Sequence, residues 1–103
     1  MRVREKKYSD YGMTVDEAKQ LSKRCTELNS DEEKLLYECA SKANPALCKC
    51  IFSSLTLGLS FESLTQQMHI GYGKNDFYAY RKKTISLFRD ALMTKGAYQL
   101  GIV

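Results

Sequence analysis

The chain has no tryptophan, one proline and one histidine, and each scarcity narrows what it is. His69 has neither a second histidine nor a nearby nucleophile to work with, so no acid–base or triad chemistry is expected and the chain is read as a non-enzyme. Pro45 is the sole proline and strand-like alternation is missing, which favours an all-α fold. No apolar run approaches the roughly 20 residues of a membrane span. The N-terminus is charged and lacks the apolar segment of a signal peptide. A cytoplasmic, nucleoid-associated protein is therefore expected, without a membrane partner, its four cysteines held as reduced thiols.

Two local patterns suggest cofactors and fail on geometry. Cys48 and Cys50 are two residues apart, about 200° around a helix, too divergent to share an ion there. Zinc sites usually space paired cysteines in a turn. Gly71-Tyr72-Gly73-Lys74 is too short for a phosphate loop, and Lys74 is followed by Asn75 rather than Ser or Thr. No cofactor and no metal are expected.

The net charge is +4 and the pI about 8.9, and its layout matters more. From Ile70 onwards, Lys74, Arg81, Lys82, Lys83, Arg89 and Lys95 face only Asp76 and Asp90. Arg2, Arg4, Lys6 and Lys7 make the N-terminus basic as well, whereas residues 13–69 are slightly acidic. Localised positive charge suits a polyanion such as DNA. No repeat or linker divides the chain. Residues 1–12 read as a basic flexible arm and 13–103 as one helical domain. Surface tyrosine without a role is the expectation for Tyr8, Tyr11 and Tyr98.

Five helices are expected. The first spans about residues 14–28, capped by Thr14 with Glu17 as capping-box partner, its apolar positions at three- and four-residue steps. The second runs over 31–43 from Ser30, with an acidic first turn. Asn44-Pro45 opens a third, the most apolar and expected to be central, which Gly58 ends. Ser60 caps a short fourth helix reaching about Met68. Gly71 and Gly73 then supply positive φ for a tight turn. Asn75 or Asp76 caps a fifth helix to about Met93, with Gly96 as its stop. The apolar tail 97–103 is free to pack on the core or on a second subunit.

Stepping 100° per residue from Phe77 places Tyr80, Thr84, Leu87, Phe88 and Ala91 on a buried arc. Tyr78, Ala79, Lys82, Lys83, Ser86 and Arg89 fall opposite, facing solvent. Short helix, turn and longer basic helix is the order of a helix-turn-helix, whose second helix reaches base edges with its N-terminal residues. Asn75, Tyr78, Ala79 and Lys82 are the expected base contacts. Lys74, Lys83, Ser86 and Arg89 are the expected phosphate contacts, which supply affinity rather than specificity. Arg81 falls on the apolar arc, where it either snorkels outward or pairs with Glu62, unless the helix is rotated from this assignment.

The same residues resemble a known family. Gly58-Leu59-Ser60-Phe61-Glu62 is similar to the start of the first motif helix in the last conserved region of bacterial sigma factors. Arg81-Lys82-Lys83, with Leu87 and Ala91-Leu92, resembles that region's basic exit. The run Phe77-Tyr78-Ala79-Tyr80-Arg81-Lys82-Lys83 is closer to small phage regulators of the ArpU and RinA type. The turn is longer than the sigma pattern, with His69 in place of the usual glycine. The polymerase-binding parts of a full sigma factor are absent. The resemblance implies sequence-specific binding of double-stranded DNA in transcription control, and RNA polymerase is a further candidate partner.

The expected protein is thus an all-α, compact bundle of about five helices containing a helix-turn-helix at about 59–93. It is expected to act as a sequence-specific DNA-binding transcriptional regulator of a phage or mobile element. A homodimer through the first two helices would match two-fold operators. The alternative is a small helical module that binds a protein partner. A DNA reader needs Tyr78, Lys82, Lys83 and Arg89 in solvent, which separates the two.

Overall fold

A computed structural model describes residues 3–96. It contains two short 3-10 segments, Val3–Glu5 and Tyr8–Tyr11, then α1 (Val15–Arg24), α2 (Ser30–Ala43), α3 (Cys48–Leu57), α4 (Phe61–Thr65) and α5 (Lys74–Thr94), with no strand among the described residues. The fold is the expected all-α bundle. No helix among the described residues is long and apolar enough to cross a membrane.

The helix starts follow from local chemistry. The Thr14 hydroxyl accepts from the Glu17 amide at 3.0 Å and so satisfies one of the first-turn donors of α1. α2 is capped one residue earlier than expected: Asn29 accepts from the Glu32 amide at 2.9 Å, while the Glu32 carboxylate accepts from the Asn29 amide at 3.3 Å. Amide and carboxylate form the reciprocal capping box, which outcompetes a cap at Ser30. The Arg24 guanidinium meets Glu32 at 2.9 Å, tying the end of α1 to the start of α2. Pro45 lies in a turn, so α3 begins only at Cys48, after the backbone amide of Leu47 has closed on Asn44. Gly58, at φ 66°, ends α3 in the left-handed conformation that L side chains resist.

The central element is α5, not α3. It touches both 3-10 segments and all four other helices. The reason is length: 21 residues give it a side for α2, another for α3 and α4, and a third for the N-terminal segment. Phe77, Ile85, Phe88 and Thr84 are fully buried along it, with Leu36, Leu47, Ile51, Leu55 and Leu64 opposite.

Residues 3–12, expected as a free arm, are folded against α5. Tyr8 and Tyr11 are partly buried against the core, and Met13 beyond them is buried. The Met13 amide bonds the Tyr8 carbonyl at 3.0 Å, and Gly12, at φ 73°, turns the chain into α1. The apolar tail 97–103, including Tyr98, lies outside the described residues, as does Arg2.

Candidate nucleic-acid interface

α4, the following turn and α5 form one packed corner. Ser60 caps α4, accepting from the Ser63 amide at 3.2 Å. Phe61 meets Phe77 edge-on, with ring centroids 5.4 Å apart, and Leu64 is fully buried. The Phe61 amide donates to the Tyr78 hydroxyl at 3.1 Å. Tyr78 is therefore half-buried and joins the two helices instead of standing out as a base contact. A first-turn amide of α4 needs an acceptor, and the phenol supplies it. Lys74 pairs with Glu62 across the same corner. The pair raises the lysine pKa and lowers the carboxylate pKa, chiefly through their shared hydrogen bond. Both side chains are more than half exposed, so the pair exchanges readily for another partner.

The turn differs from expectation. α4 stops at Thr65, and Gln67 and Met68 close on the Leu64 carbonyl in a looser coil. Gly71 and Gly73 do not take positive φ. The reversal is spread over enough residues that neither glycine needs the left-handed region. A Cβ on either would meet nothing within 4 Å, so this side of the corner is open. Gly73 is the N-cap of α5, with no side-chain cap bond, and the helix begins at Lys74 rather than after Asn75 or Asp76. Lys74 and Asn75 are exposed at that end, where backbone N–H groups and the helix dipole favour an anion.

Further along α5 the expected reading face is covered. Lys82 donates to the Lys6 carbonyl at 3.0 Å and lies 5.0 Å from the Tyr8 ring centroid. Arg89 donates to the Tyr11 and Gly12 carbonyls at 2.8 and 3.0 Å. It also pairs with Glu17 and Asp90, and its side chain is only 14% exposed. Ser86 lies between these two anchors on the same face. It is buried, and its hydroxyl turns back to the Lys83 carbonyl at 2.9 Å. Ala79 is buried too. As the chain is folded here, Ala79 and Ser86 cannot reach DNA, and Arg89 is spent inside the protein. The N-terminal segment runs along the stripe that helical periodicity assigns to solvent. A cleft of about 580 Å³ remains there, lined by Glu5, Asn75, Tyr78, Ala79 and Lys82. It brings together all four expected base contacts and adds an acidic residue from the N-terminus. Lys83 is half-buried beside this stripe.

Arg81 neither snorkels free nor pairs with Glu62. Its Nε donates to the hydroxyl of the fully buried Ser54 at 3.0 Å, and that hydroxyl donates to the Leu59 carbonyl at 2.7 Å. Glu62 is already held by Lys74. Glu5, Lys6, Tyr8 and Tyr11 are the residues that sequence reasoning missed. Tyrosines interleaved with the arm's basic residues were the available signal.

The cysteines are free and buried. Cys48 donates to the Tyr37 hydroxyl at 3.4 Å and Cys50 to the Met68 sulfur at 3.3 Å, in different directions. Burial pushes the Cys25 thiol up to about 12 and Cys39 to about 11. No cluster of three or more His, Cys, Asp or Glu residues able to hold a metal occurs among the described residues. Compared with protein-family models, curated proteins and solved structures, the chain matches none.

Proposed function

We propose that this chain is a non-enzymatic, DNA-binding transcriptional regulator of a phage or mobile element, and that it meets the major groove with the N-terminal end of α5. The observation that carries the reading is the α4–turn–α5 corner, with Lys74 and Asn75 exposed on its open side. Asn75 is suited to a base edge, since a carboxamide can bond adenine bidentately. Lys74 exchanges Glu62 for a phosphate, and Lys83 adds a second phosphate contact. Lys82 joins them once it leaves the Lys6 carbonyl. Tyr78, Ala79, Ser86 and Arg89 have structural roles in this reading. A homodimer through α1 and α2, and contact with RNA polymerase, belong to the same proposal.

The second reading, a module that binds a protein, is favoured by the solvent criterion itself: Tyr78, Lys82, Lys83 and Arg89 are all half-buried, so the face a DNA reader needs is covered as the chain is folded. Lys82 and Arg89 already satisfy backbone carbonyls of the same chain, while Leu57 and Met68 stand exposed.

Fluorescence anisotropy with random duplex DNA at about 50 and 200 mM salt separates the two, because phosphate contacts make affinity fall steeply with salt. The wild type should bind at low salt. Lys82→Ala/Lys83→Ala should bind more weakly, with a salt slope shallower by about 0.9 for each phosphate it no longer neutralises. Asn75→Ala should lose discrimination between sequences. No binding at about 50 mM salt would sink the DNA reading and favour the protein partner.

A further inference from the structure

Three further features of the molecule stand beside the α4–turn–α5 corner. The first is a cleft between α1, α2 and the end of α5, around Arg24, Glu32, Leu35 and Leu92. Nothing on its walls says what fills it. The exposed Leu57 and Met68 likewise have no stated occupant. The third is the docked N-terminal segment, whose contacts do specify what displaces it.

We propose that residues 3–10 are a built-in gate over the reading face of α5, which a polyanion opens by taking Lys82. This rests on the DNA-binding reading above and adds to it a closed and an open state.

Both 3-10 turns pack on α5, the first over the larger contact, but their polar anchors differ. At the Gly12 end, Arg89 bonds two carbonyls and also has the carboxylates of Glu17 and Asp90. A phosphate gains little by competing for a guanidinium already paired with anions. At the other end, the partners of Lys82 among the described residues are neutral, the Lys6 carbonyl and the Tyr8 ring. A phosphate oxygen offers it a charge-assisted bond, roughly twice as strong as a neutral one. The two ends therefore respond differently to DNA: the Arg89 clamp stays, and the segment before it lifts.

Docking is also incomplete. The Tyr11 hydroxyl is buried with no hydrogen-bond partner among the described residues. Both segments are short 3-10 turns, whose hydrogen-bond geometry is poorer than that of an α-helix. Glu5 lines the cleft with Asn75 and Lys82, so the closed state puts a carboxylate where phosphate approaches. Lifting the segment removes that charge, uncovers Ala79 and releases Lys82 together. It also frees Lys6 from the Tyr11 ring, and Lys6 is attracted to the same polyanion.

Tyr8→Ala and Tyr8→Phe in the full chain test this, because neither changes the charge. Tyr8→Ala removes the ring that holds Lys82, and Tyr8→Phe keeps it. If the gate is closed about nine-tenths of the time, Tyr8→Ala should bind random duplex DNA up to about tenfold more tightly, and Tyr8→Phe should match the wild type. In parallel, amide hydrogen exchange is followed in the wild type with and without DNA. The amides of Asp10 and Met13, bonded to the Lys7 and Tyr8 carbonyls, should exchange faster in the complex. DNA binding with those amides equally or better protected, and with Tyr8→Ala no tighter than wild type, overturns the gate and leaves the DNA reading intact. No DNA binding by any of the three proteins overturns the DNA reading and the gate with it. Circular dichroism of each variant establishes that the helices persist, and the exchange arm needs no variant at all.

Discussion

Ser54→Ala is the substitution that most directly tests how the α4–turn–α5 corner is held. Ser54 is fully buried on α3. Its hydroxyl donates to the Leu59 carbonyl at 2.7 Å and accepts from Arg81 Nε at 3.0 Å. One small side chain thus links α3, the turn into α4, and α5. Removing it breaks a neutral hydrogen bond, worth about 1 kcal/mol net, and one from a charged donor, worth about 1.5–3 kcal/mol. Arg81 is half-buried and can still find water, so the lower part of that range applies. The total is about 2–3 kcal/mol. At about 2.1 cal/mol/K per residue, the unfolding entropy of this chain is about 0.2 kcal/mol/K. The thermal midpoint should therefore fall by about 10–15 °C, read by far-UV circular dichroism with helix content unchanged at low temperature. Arg81→Met completes a double-mutant cycle. Because both substitutions remove the same bond, the double variant should be more stable than the sum of the singles implies, by about 1 kcal/mol. A fall under about 3 °C for Ser54→Ala, or strict additivity with Arg81→Met, would refute this role for Ser54.

Three further outcomes follow from buried groups. Tyr11→Phe removes a buried hydroxyl that has no partner among the described residues and keeps the ring beneath Lys6. It should stabilise the fold by about 1 kcal/mol, and a lowered midpoint would show that the hydroxyl is satisfied in solution. The buried thiols make stability fall in alkali. Unfolded, Cys25 and Cys39 ionise near 9.0; folded, they ionise only near 12 and 11. Below pH 9.0 both states keep the protons, while above it the unfolded chain loses them first. Midpoints should therefore drop as pH rises through this window, and less steeply in Cys25→Ala/Cys39→Ala. Neither thiol should react with iodoacetamide before unfolding, and fast labelling of the native chain would contradict the burial.

Much of the fold is determined locally, and those parts are legible in the sequence. Thr14 and Ser60 cap helices because a side-chain oxygen three residues before an amide is a short-range fact. Gly58 ends α3 because left-handed φ disfavours other residues. The buried arc of α5, centred on Phe77, follows from helical periodicity alone. Asn29 displacing Ser30 as a cap is a choice between neighbours, decided by the reciprocal bond with Glu32.

The other face of α5 is not determined in this way. Periodicity identifies which residues share a stripe, and it says nothing about whether another part of the chain lies on it. Tyr78, Ala79, Lys82, Ser86 and Arg89 form a stripe that looks solvent-facing by sequence. Tertiary structure brings Lys6 and Tyr8 to Lys82, and Tyr11 and Gly12 to Arg89, across separations of more than 70 residues. Arg81 finding Ser54 is the same kind of event. Local hydrogen bonds and torsions choose the helices. Long-range contacts between polar groups that have more than one available partner decide which of their faces stay open, and only the folded chain shows which partner wins.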